Sequence, residues 1–149
     1  MFKTILVPLD GSKRAETILP HVEDLAQRYN AKVVFLQIVE PTPFVVGIEN
    51  AYVAPSQQEV EHWTKEAESY LAALQGEFRK KGIEARTHVG HGAVVETIIT
   101  TAEHEGADLV AMASHGRTGL SKVFYGSVAA GVLQRVERPL LLIRSRAEE

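Results

Sequence analysis

The sequence contains no cysteine, which excludes a disulfide framework, a thiolate metal site and a cysteine nucleophile. It also has no excess of positive charge, because 16 Lys and Arg are outnumbered by 19 Asp and Glu, for a formal net charge of −3. That balance provides no broad basic surface for nucleic acid and no polybasic signal for membranes. We therefore expect no nucleic-acid partner, and any phosphate binding has to be local.

Long hydrophobic runs are absent as well. The apolar runs are much shorter than the roughly 20 residues that a membrane-spanning helix needs, and the opening residues 1–4 do not form a secretory signal. We therefore expect no membrane insertion and a cytoplasmic location. The length of 149 residues predicts a single domain, residues 1–149, large enough to bury a sizeable core.

Short apolar runs alternate with helical patterns along the chain. Continuous runs of this kind predict strands that are covered on both faces, as in a parallel sheet. The five predicted strands cover residues 5–9, 32–39, 84–89, 109–113 and 139–143. With four helices between them, they predict an α/β fold: an open, doubly wound, five-stranded parallel sheet in the order 3-2-1-4-5, with helices on both faces.

Local signals mark the ends of the helices. Ser12 is a predicted N-cap of the first helix and Asn30 a left-handed stop, with Pro20 expected to bend the helix between them. The segment Ser56-Gln57-Gln58-Glu59 fits a capping box at the start of the second helix. Residues 40–55 contain three prolines and a glycine, which predicts a long irregular loop.

A glycine-rich segment follows the fourth strand. It comprises Ser114-His115-Gly116-Arg117-Thr118-Gly119 and, after a spacer, Gly126-Ser127 at the start of the last helix. Turn amides and a helix N-terminus form an anion site, and glycines let the backbone approach a phosphate closely. Ser127 would cap the last helix and donate its hydroxyl, while His115 or Arg117 would add a charge-assisted contact.

The predicted strand order places this segment beside the first strand. Ligands of open α/β sheets bind outside the carboxyl ends of the strands where the strand order reverses, here between the first and fourth strands. That rule brings Asp10-Gly11-Ser12 next to the glycines. An ordinary interpretation remains open for each part, because glycines form turns, a serine caps a helix and an aspartate often starts a turn.

The segment from Met112 to Leu120, continued by Gly126-Ser127-Val128-Ala129, resembles the signature of the universal stress protein family, in its nucleotide-binding branch. That signature is Gly, two residues, Gly, nine residues, then Gly followed by Ser or Thr. The similarity extends to residues 5–12, 106–110 and 139–143, so it covers essentially the whole chain. Ala113 stands in place of the first signature glycine, and its methyl group would crowd a nucleotide.

The resemblance implies a set of nucleotide-binding residues. Asp10 and the backbone of Ile38 would contact adenine, while Gly116, Gly126, Ser127 and Val128 would hold the ribose and phosphates. The full set is Pro8, Leu9, Asp10, Ile38, Met112, Ala113, His115, Gly116, Arg117, Gly126, Ser127 and Val128. ATP is the expected ligand, with ADP or AMP as alternatives, each with or without an accompanying Mg²⁺. No residue is predicted to be catalytic or to bind a metal directly.

The function implied by this resemblance is that of a dimeric, ATP-binding stress-response or signalling module with an unidentified protein partner. The homodimer would form through the C-terminal strand. A slow ATPase that uses His115 or Asp10 and a nucleotide-free scaffold that has lost its site at Ala113 are the alternatives. The sequence shows no obvious general base beside the phosphate segment and no pair of carboxylates to bind magnesium. Any hydrolysis of ATP is therefore expected to be slow.

Two further groups of residues, three histidines and two aromatic residues, are better explained by a structural role than by ligand binding. His88, His91 and His115 lack an acidic or cysteine partner at metal-site spacing, which favours loop histidines over a metal site. Trp63 and Tyr70 lie on the apolar face of the second predicted helix and are expected in the core.

Overall fold

The computed structural model describes residues 1–41, 44–47, 51–114 and 126–145, and within these ranges strands and α-helices alternate except at the three consecutive strands between α1 and α2. The elements in chain order are β1 (Thr4–Leu9), α1 (Leu19–Tyr29), β2 (Lys32–Val39), β3 (Phe44–Val46), β4 (Ala51–Val53), α2 (Gln57–Lys80), β5 (Ala85–His91), α3 (Val94–His104), β6 (Leu109–Ala113), α4 (Ser127–Arg135) and β7 (Leu140–Ile143). A short 3₁₀ helix, Ala15–Ile18, precedes α1.

Five strands form the main sheet, in the order β5-β2-β1-β6-β7, and every neighbouring pair is parallel. The predicted α/β class with a five-stranded parallel sheet is therefore confirmed. The strand labels differ from the prediction because β3 and β4 lie outside the main sheet. Numbered among themselves, the five strands of that sheet run 3-2-1-4-5.

The apolar side chains of β1 divide between two layers because successive residues of a strand point to opposite faces. Ile5, Val7 and Leu9 face the core shared with α1 and α2. Leu6 faces the core shared with α3 and α4. This double coverage explains why the central strands are continuous apolar runs, and it favours a binding site at the ends of these strands.

A small hairpin replaces the irregular loop that the sequence predicted for residues 40–55. Strands β3 and β4 pair antiparallel, with Val45 opposite Tyr52. The prediction was wrong here because three-residue strands are too short to show a periodicity, and the prolines and glycine around them indicate only turns. The side chain of Tyr52 is exposed.

The C-terminal end of α1 and the N-terminal end of α2 follow their sequence signals, but the predicted N-cap at Ser12 is wrong. Helix α1 begins at Leu19 with Ile18 as its N-cap, and the Ser12 Oγ instead accepts the N–H of Ala15 at the start of the 3₁₀ helix, at 3.1 Å. Asn30 has a left-handed conformation, with φ of 54°, and ends α1, while Ser56 and Glu59 form both bonds of the capping box. Pro20, however, does not bend a longer helix. It lies in the first turn of α1, where its missing N–H costs nothing, because residues 15–18 form a separate 3₁₀ helix.

None of the helices in the described part of the chain combines the length and the apolar character needed to cross a membrane.

Candidate functional site

A cavity of about 260 Å³ lies at the carboxyl ends of β1, β2 and β6, where the strand order reverses. Its walls are formed by the ends of these three strands, by the 3₁₀ helix after β1, and by the first turns of helices α3 and α4. The lining residues are Pro8, Leu9, Asp10, Ala15, Ile38, Val94, Ile98, Met112, Ala113, Ser114, Gly126, Ser127, Val128 and Ala129. This location is the one expected for a ligand site in an open α/β sheet.

Nine of the twelve residues predicted from the sequence line this cavity. They are Pro8, Leu9, Asp10, Ile38, Met112, Ala113, Gly126, Ser127 and Val128. His115, Gly116 and Arg117 lie outside the described residues. The structure thus brings together residues from four separate parts of the sequence.

The turn after β1 holds the Asp10 carboxylate in a defined orientation. Its Oδ1 accepts the backbone N–H of Ser12 at 2.9 Å, and the Ser12 Oγ in turn accepts the N–H of Ala15 at 3.1 Å. Gly11 has φ of 84°, the left-handed conformation that glycine adopts without cost. Asp10 therefore serves the turn, as the ordinary interpretation holds, and also lines the cavity.

The backbone of Ile38 extends beyond the end of β1. Along β2 the backbone groups alternate between neighbours, since the Lys32 N–H donates to Lys3 in the β1 segment and the Val33 N–H donates to Glu84 on the β5 side. Even-numbered residues of β2, including Ile38, thus turn their backbone groups toward β1. Because the last pair joins Leu9 to Gln37, the Ile38 carbonyl lies past the last residue of β1.

The N-terminus of α4 faces the same cavity. The first bond of the helix is made by the N–H of Ala130 to the carbonyl of Gly126, at 3.0 Å. The N–H groups of Ser127, Val128 and Ala129 therefore have no acceptor within the helix, and all three residues line the cavity. Unpaired helix amides carry positive partial charge and attract an anion.

Ser127 does not cap α4, contrary to the sequence prediction. Gly126 occupies the N-cap position, with φ of 86° and ψ of 146°, and has no side chain that could cap the helix. An L-residue rarely adopts that conformation, which explains why glycine stands there. Ser127 is the first helical residue, and its side chain is exposed.

The signature alanine lies at the end of β6, within the cavity wall. Ala113 and Met112 are both buried, and the N–H of the following residue, Ser114, donates to the Ile143 carbonyl at 2.7 Å. The backbone at this point is therefore fixed by β7. The methyl group of Ala113 belongs to the wall of the cavity without interrupting the strand.

Four lining residues were missed by the sequence analysis: Ala15, Val94, Ile98 and Ala129. Ser114, which also lines the cavity, was outside the predicted binding set but begins the glycine-rich segment expected at this edge. Val94 and Ile98 appear in the sequence only as the apolar face of a helix, and that pattern does not distinguish a core residue from a residue that lines a cavity. The signal that could have located them is their position in the first turns of the helix after β5, because the helices of such sheets begin near the ligand edge.

The histidines considered for a metal site separate in the structure. His88 and His91 are three positions apart on β5, so their side chains point to opposite faces of the sheet. The Nε2 of His91 lies 2.9 Å from Thr64 Oγ1 on α2. His115 lies outside the described residues, among which no group of three His, Cys, Asp or Glu side chains is placed to hold a metal.

Comparison with known proteins gives the same assignment for the whole chain. Residues 1–144 match the model of the universal stress protein family. The chain belongs to the universal stress protein family. Universal stress protein MJ0577 of Methanocaldococcus jannaschii is 28% identical, over 98% of this chain and 97% of that protein. The solved structure of MJ0577 superposes with a TM-score of 0.79 and covers 99% of both chains, at 27% identity.

Two structures of universal stress proteins with bound nucleotides share the fold. One, solved in complex with cAMP, superposes with a TM-score of 0.70 at 20% identity, and covers 97% of this chain and 98% of the other. The other, from Archaeoglobus fulgidus in complex with dAMP, superposes with a TM-score of 0.67 at 20% identity, and covers 95% and 97%. At these identities the likeness establishes a common fold.

Proposed function

We propose that this chain binds an adenine nucleotide, with ATP as the preferred ligand, in the cavity at the carboxyl ends of β1, β2 and β6. The observation that carries the proposal is the pairing of two kinds of group around one cavity. Hydrogen-bond acceptors lie at the ends of β1 and β2, and the N-terminus of α4, with glycine at its N-cap, presents amide donors. A nucleotide has the matching pair, a base with hydrogen-bond donors and an anionic phosphate chain.

The acceptor end favours adenine over guanine. Asp10 contributes a carboxylate and Ile38 a backbone carbonyl beyond the end of β1. The exocyclic amino group of adenine donates hydrogen bonds, whereas guanine has a carbonyl oxygen at the corresponding position. A guanine would therefore leave these acceptors facing another acceptor, which is costly in a cavity.

The donor end suits phosphate. The amides of Ser127, Val128 and Ala129 form the first turn of α4, and Gly126 lets the backbone approach an oxyanion without a Cβ in the way. The proposal extends this site to His115, Gly116 and Arg117, on the strength of the sequence signature. The cAMP and dAMP complexes of other universal stress proteins support a nucleotide of the adenine type.

Titration calorimetry with ATP and GTP tests the proposal. We expect ATP to bind and GTP to bind at least roughly tenfold more weakly, because sites built to hydrogen-bond a substrate group discriminate strongly against an analogue that lacks it. AMP, titrated in parallel, measures the share of the affinity that the α4 amides give to the outer phosphates. Equal affinities for ATP and GTP, or no heat with either up to millimolar concentration, would refute the proposal.

The biological role that we propose is that of a cytoplasmic, single-domain stress-response or signalling module whose bound nucleotide is sensed rather than consumed. The family membership supports this role. Among the described lining residues, Asp10 is the only carboxylate, so the cavity offers no acidic pair for a catalytic magnesium ion. Hydrolysis of ATP, if measured, should be slow compared with nucleotide exchange.

We also propose that the module is a homodimer formed through β7. This strand is at the edge of the main sheet, and its four residues are all partly exposed apolar side chains. Such an edge offers unpaired backbone groups to a second chain. Two copies related by a twofold axis would cover each other's edge by pairing their β7 strands antiparallel.

Proline at Leu142 is expected to abolish that dimer. The carbonyls of Pro139 and Ile143 accept bonds from β6, so the backbone groups of Leu140 and Leu142 point away from the sheet by alternation. Leu142→Pro removes an outward N–H that β6 does not use, and proline is tolerated at such edge positions. By light scattering, the wild type should have the mass of a dimer and the variant that of a monomer.

The matched control is Leu142→Ala. It removes the same side chain from the α3–α4 core layer but keeps the N–H, so it should remain a dimer while losing stability. A monomeric wild type would refute the proposed dimer. A Leu142→Pro variant that stays dimeric at micromolar concentration would show that the interface lies on another surface.

A further inference from the structure

A hydrogen bond joins α2 to the short 3₁₀ helix that follows the turn at Asp10. The hydroxyl of Tyr70 donates to Oε2 of Glu16 at 2.6 Å, across a sequence separation of 54 residues. That distance is in the range of strong hydrogen bonds to a carboxylate. The ring of Tyr70 is half-buried and packs against the core that α1 and α2 share, so the hydroxyl is held in place.

The contact continues from Glu16 into the nucleotide cavity. The backbone N–H of Glu16 donates to the Ser12 carbonyl at 3.3 Å, and the N–H of Ser12 donates to Asp10 Oδ1 at 2.9 Å. Ala15, the neighbour of Glu16, donates to the Ser12 Oγ and itself lines the cavity. Three hydrogen bonds, joined through the covalent structure of Glu16 and of Ser12, therefore connect Tyr70 on α2 with the Asp10 carboxylate.

We propose that Tyr70 is a positioning residue of the nucleotide site: by holding Glu16, it fixes the turn at Ser12 and thereby the orientation of the Asp10 carboxylate. This inference rests on the proposed binding of an adenine nucleotide, in which Asp10 selects the base. Tyr70 itself does not line the cavity. Its effect on binding is transmitted through Glu16 and Ser12.

The electrostatics of the site favour the same role. Burial raises the pKa of Tyr70 well above its usual range, and the hydrogen bond to Glu16 and the charges of Glu16 and Asp10 raise it further. The phenol therefore stays protonated and acts as a donor facing two carboxylates. Without the hydroxyl, the Glu16 side chain would lose the donor that holds it, and we expect it to turn toward solvent.

Tyr70→Phe tests the inference because it removes the hydroxyl and keeps the packed ring. We expect its affinity for ATP to fall roughly fivefold, the size expected for one lost hydrogen bond, and its preference for ATP over GTP to fall with it. A purely structural role would lower stability without changing that preference. Tyr29→Phe is the matched control, since Tyr29 is partly exposed and makes a ring contact with Phe2.

Two substitutions at Glu16 refine the test. Glu16→Gln retains an acceptor for the Tyr70 hydroxyl and should keep most of the ATP preference. Glu16→Ala should behave like Tyr70→Phe, and the double variant should lose little more than either single variant, because all three break the same connection. Additive losses in the double variant would show that the two residues act on binding separately, which contradicts the proposal.

A measurement without nucleotide separates this inference from the proposed function. In Tyr70→Phe, amide hydrogen exchange at Ser12 and Ala15 should accelerate several-fold, while the core amide of Val33, bonded to Glu84, stays unchanged. Faster exchange at Ser12 in a protein that binds neither ATP nor GTP would support the positioning role and refute the nucleotide proposal. Unchanged exchange at Ser12 would overturn the inference, whatever the protein binds.

Discussion

A Gly126→Val variant is expected to lose at least roughly tenfold in ATP affinity while remaining folded. Gly126 has φ of 86° and ψ of 146°, a conformation that costs a residue with a side chain about 1–3 kcal/mol. A valine would move the backbone toward negative φ and turn the first amides of α4 away from the cavity. The new side chain would also occupy the space that a phosphate oxygen needs.

The matched control for this variant is Gly106→Val. Gly106 also has a positive φ, of 64°, and a Cβ added there would have no neighbouring atom within 4 Å, but it lies between α3 and β6, at the opposite end of the sheet from the cavity. This variant should lose stability in thermal unfolding without losing ATP affinity. Calorimetric titration of both variants gives the comparison. A Gly126→Val protein that binds ATP like the wild type would mean that the phosphates lie elsewhere.

The parts of the fold that can be predicted from the sequence are those with a local physical signal. The predicted bounds of strand β6 match the observed ones, Leu109–Ala113, because a buried strand that is covered on both faces is a continuous apolar run. The capping box at Ser56 and the stop at Asn30 are predictable because each depends on one side chain and its own backbone. The hairpin of β3 and β4 offers no comparable signal, since each strand has three residues.

The location of the candidate site can also be predicted, for a topological reason. Once β1 and β6 are neighbours, the residues after them, such as Asp10 and Ser114, must meet at one edge of the sheet. The helical walls at Val94 and Ile98 could not be predicted, because the sequence pattern of a helix face does not show what it faces. The contact of Tyr70 with Glu16 could not be predicted either, since no local pattern pairs residues so far apart.

The close approach between α3 and α4 likewise has no signal in the sequence, and it makes the contact between Gly131 and Val95 sensitive to any added side chain. A Cβ on Gly131 would lie 2.8 Å from Val95 Cγ2 and 3.2 Å from its Cγ1. Valine in a helix has one strongly preferred rotamer and cannot turn aside. We therefore expect Gly131→Ala to lower the free energy of unfolding by about 1–3 kcal/mol, the usual cost of overpacking.

The same variant should weaken ATP binding, because α3 and α4 both line the cavity and an added methyl group would push them apart. Val95→Ala is the compensating change: with its Cγ atoms gone, the nearest remaining atom is the Cβ at 3.5 Å, an ordinary contact distance. The double variant should therefore be more stable than Gly131→Ala alone, a strongly non-additive result in urea unfolding.

Gly76→Ala, in α2 with no atom within 4 Å of the added Cβ, serves as the control and should gain about 0.5–1 kcal/mol in its free energy of unfolding. If Val95→Ala fails to restore stability and ATP affinity to Gly131→Ala, the α3–α4 contact does not set the width of the cavity.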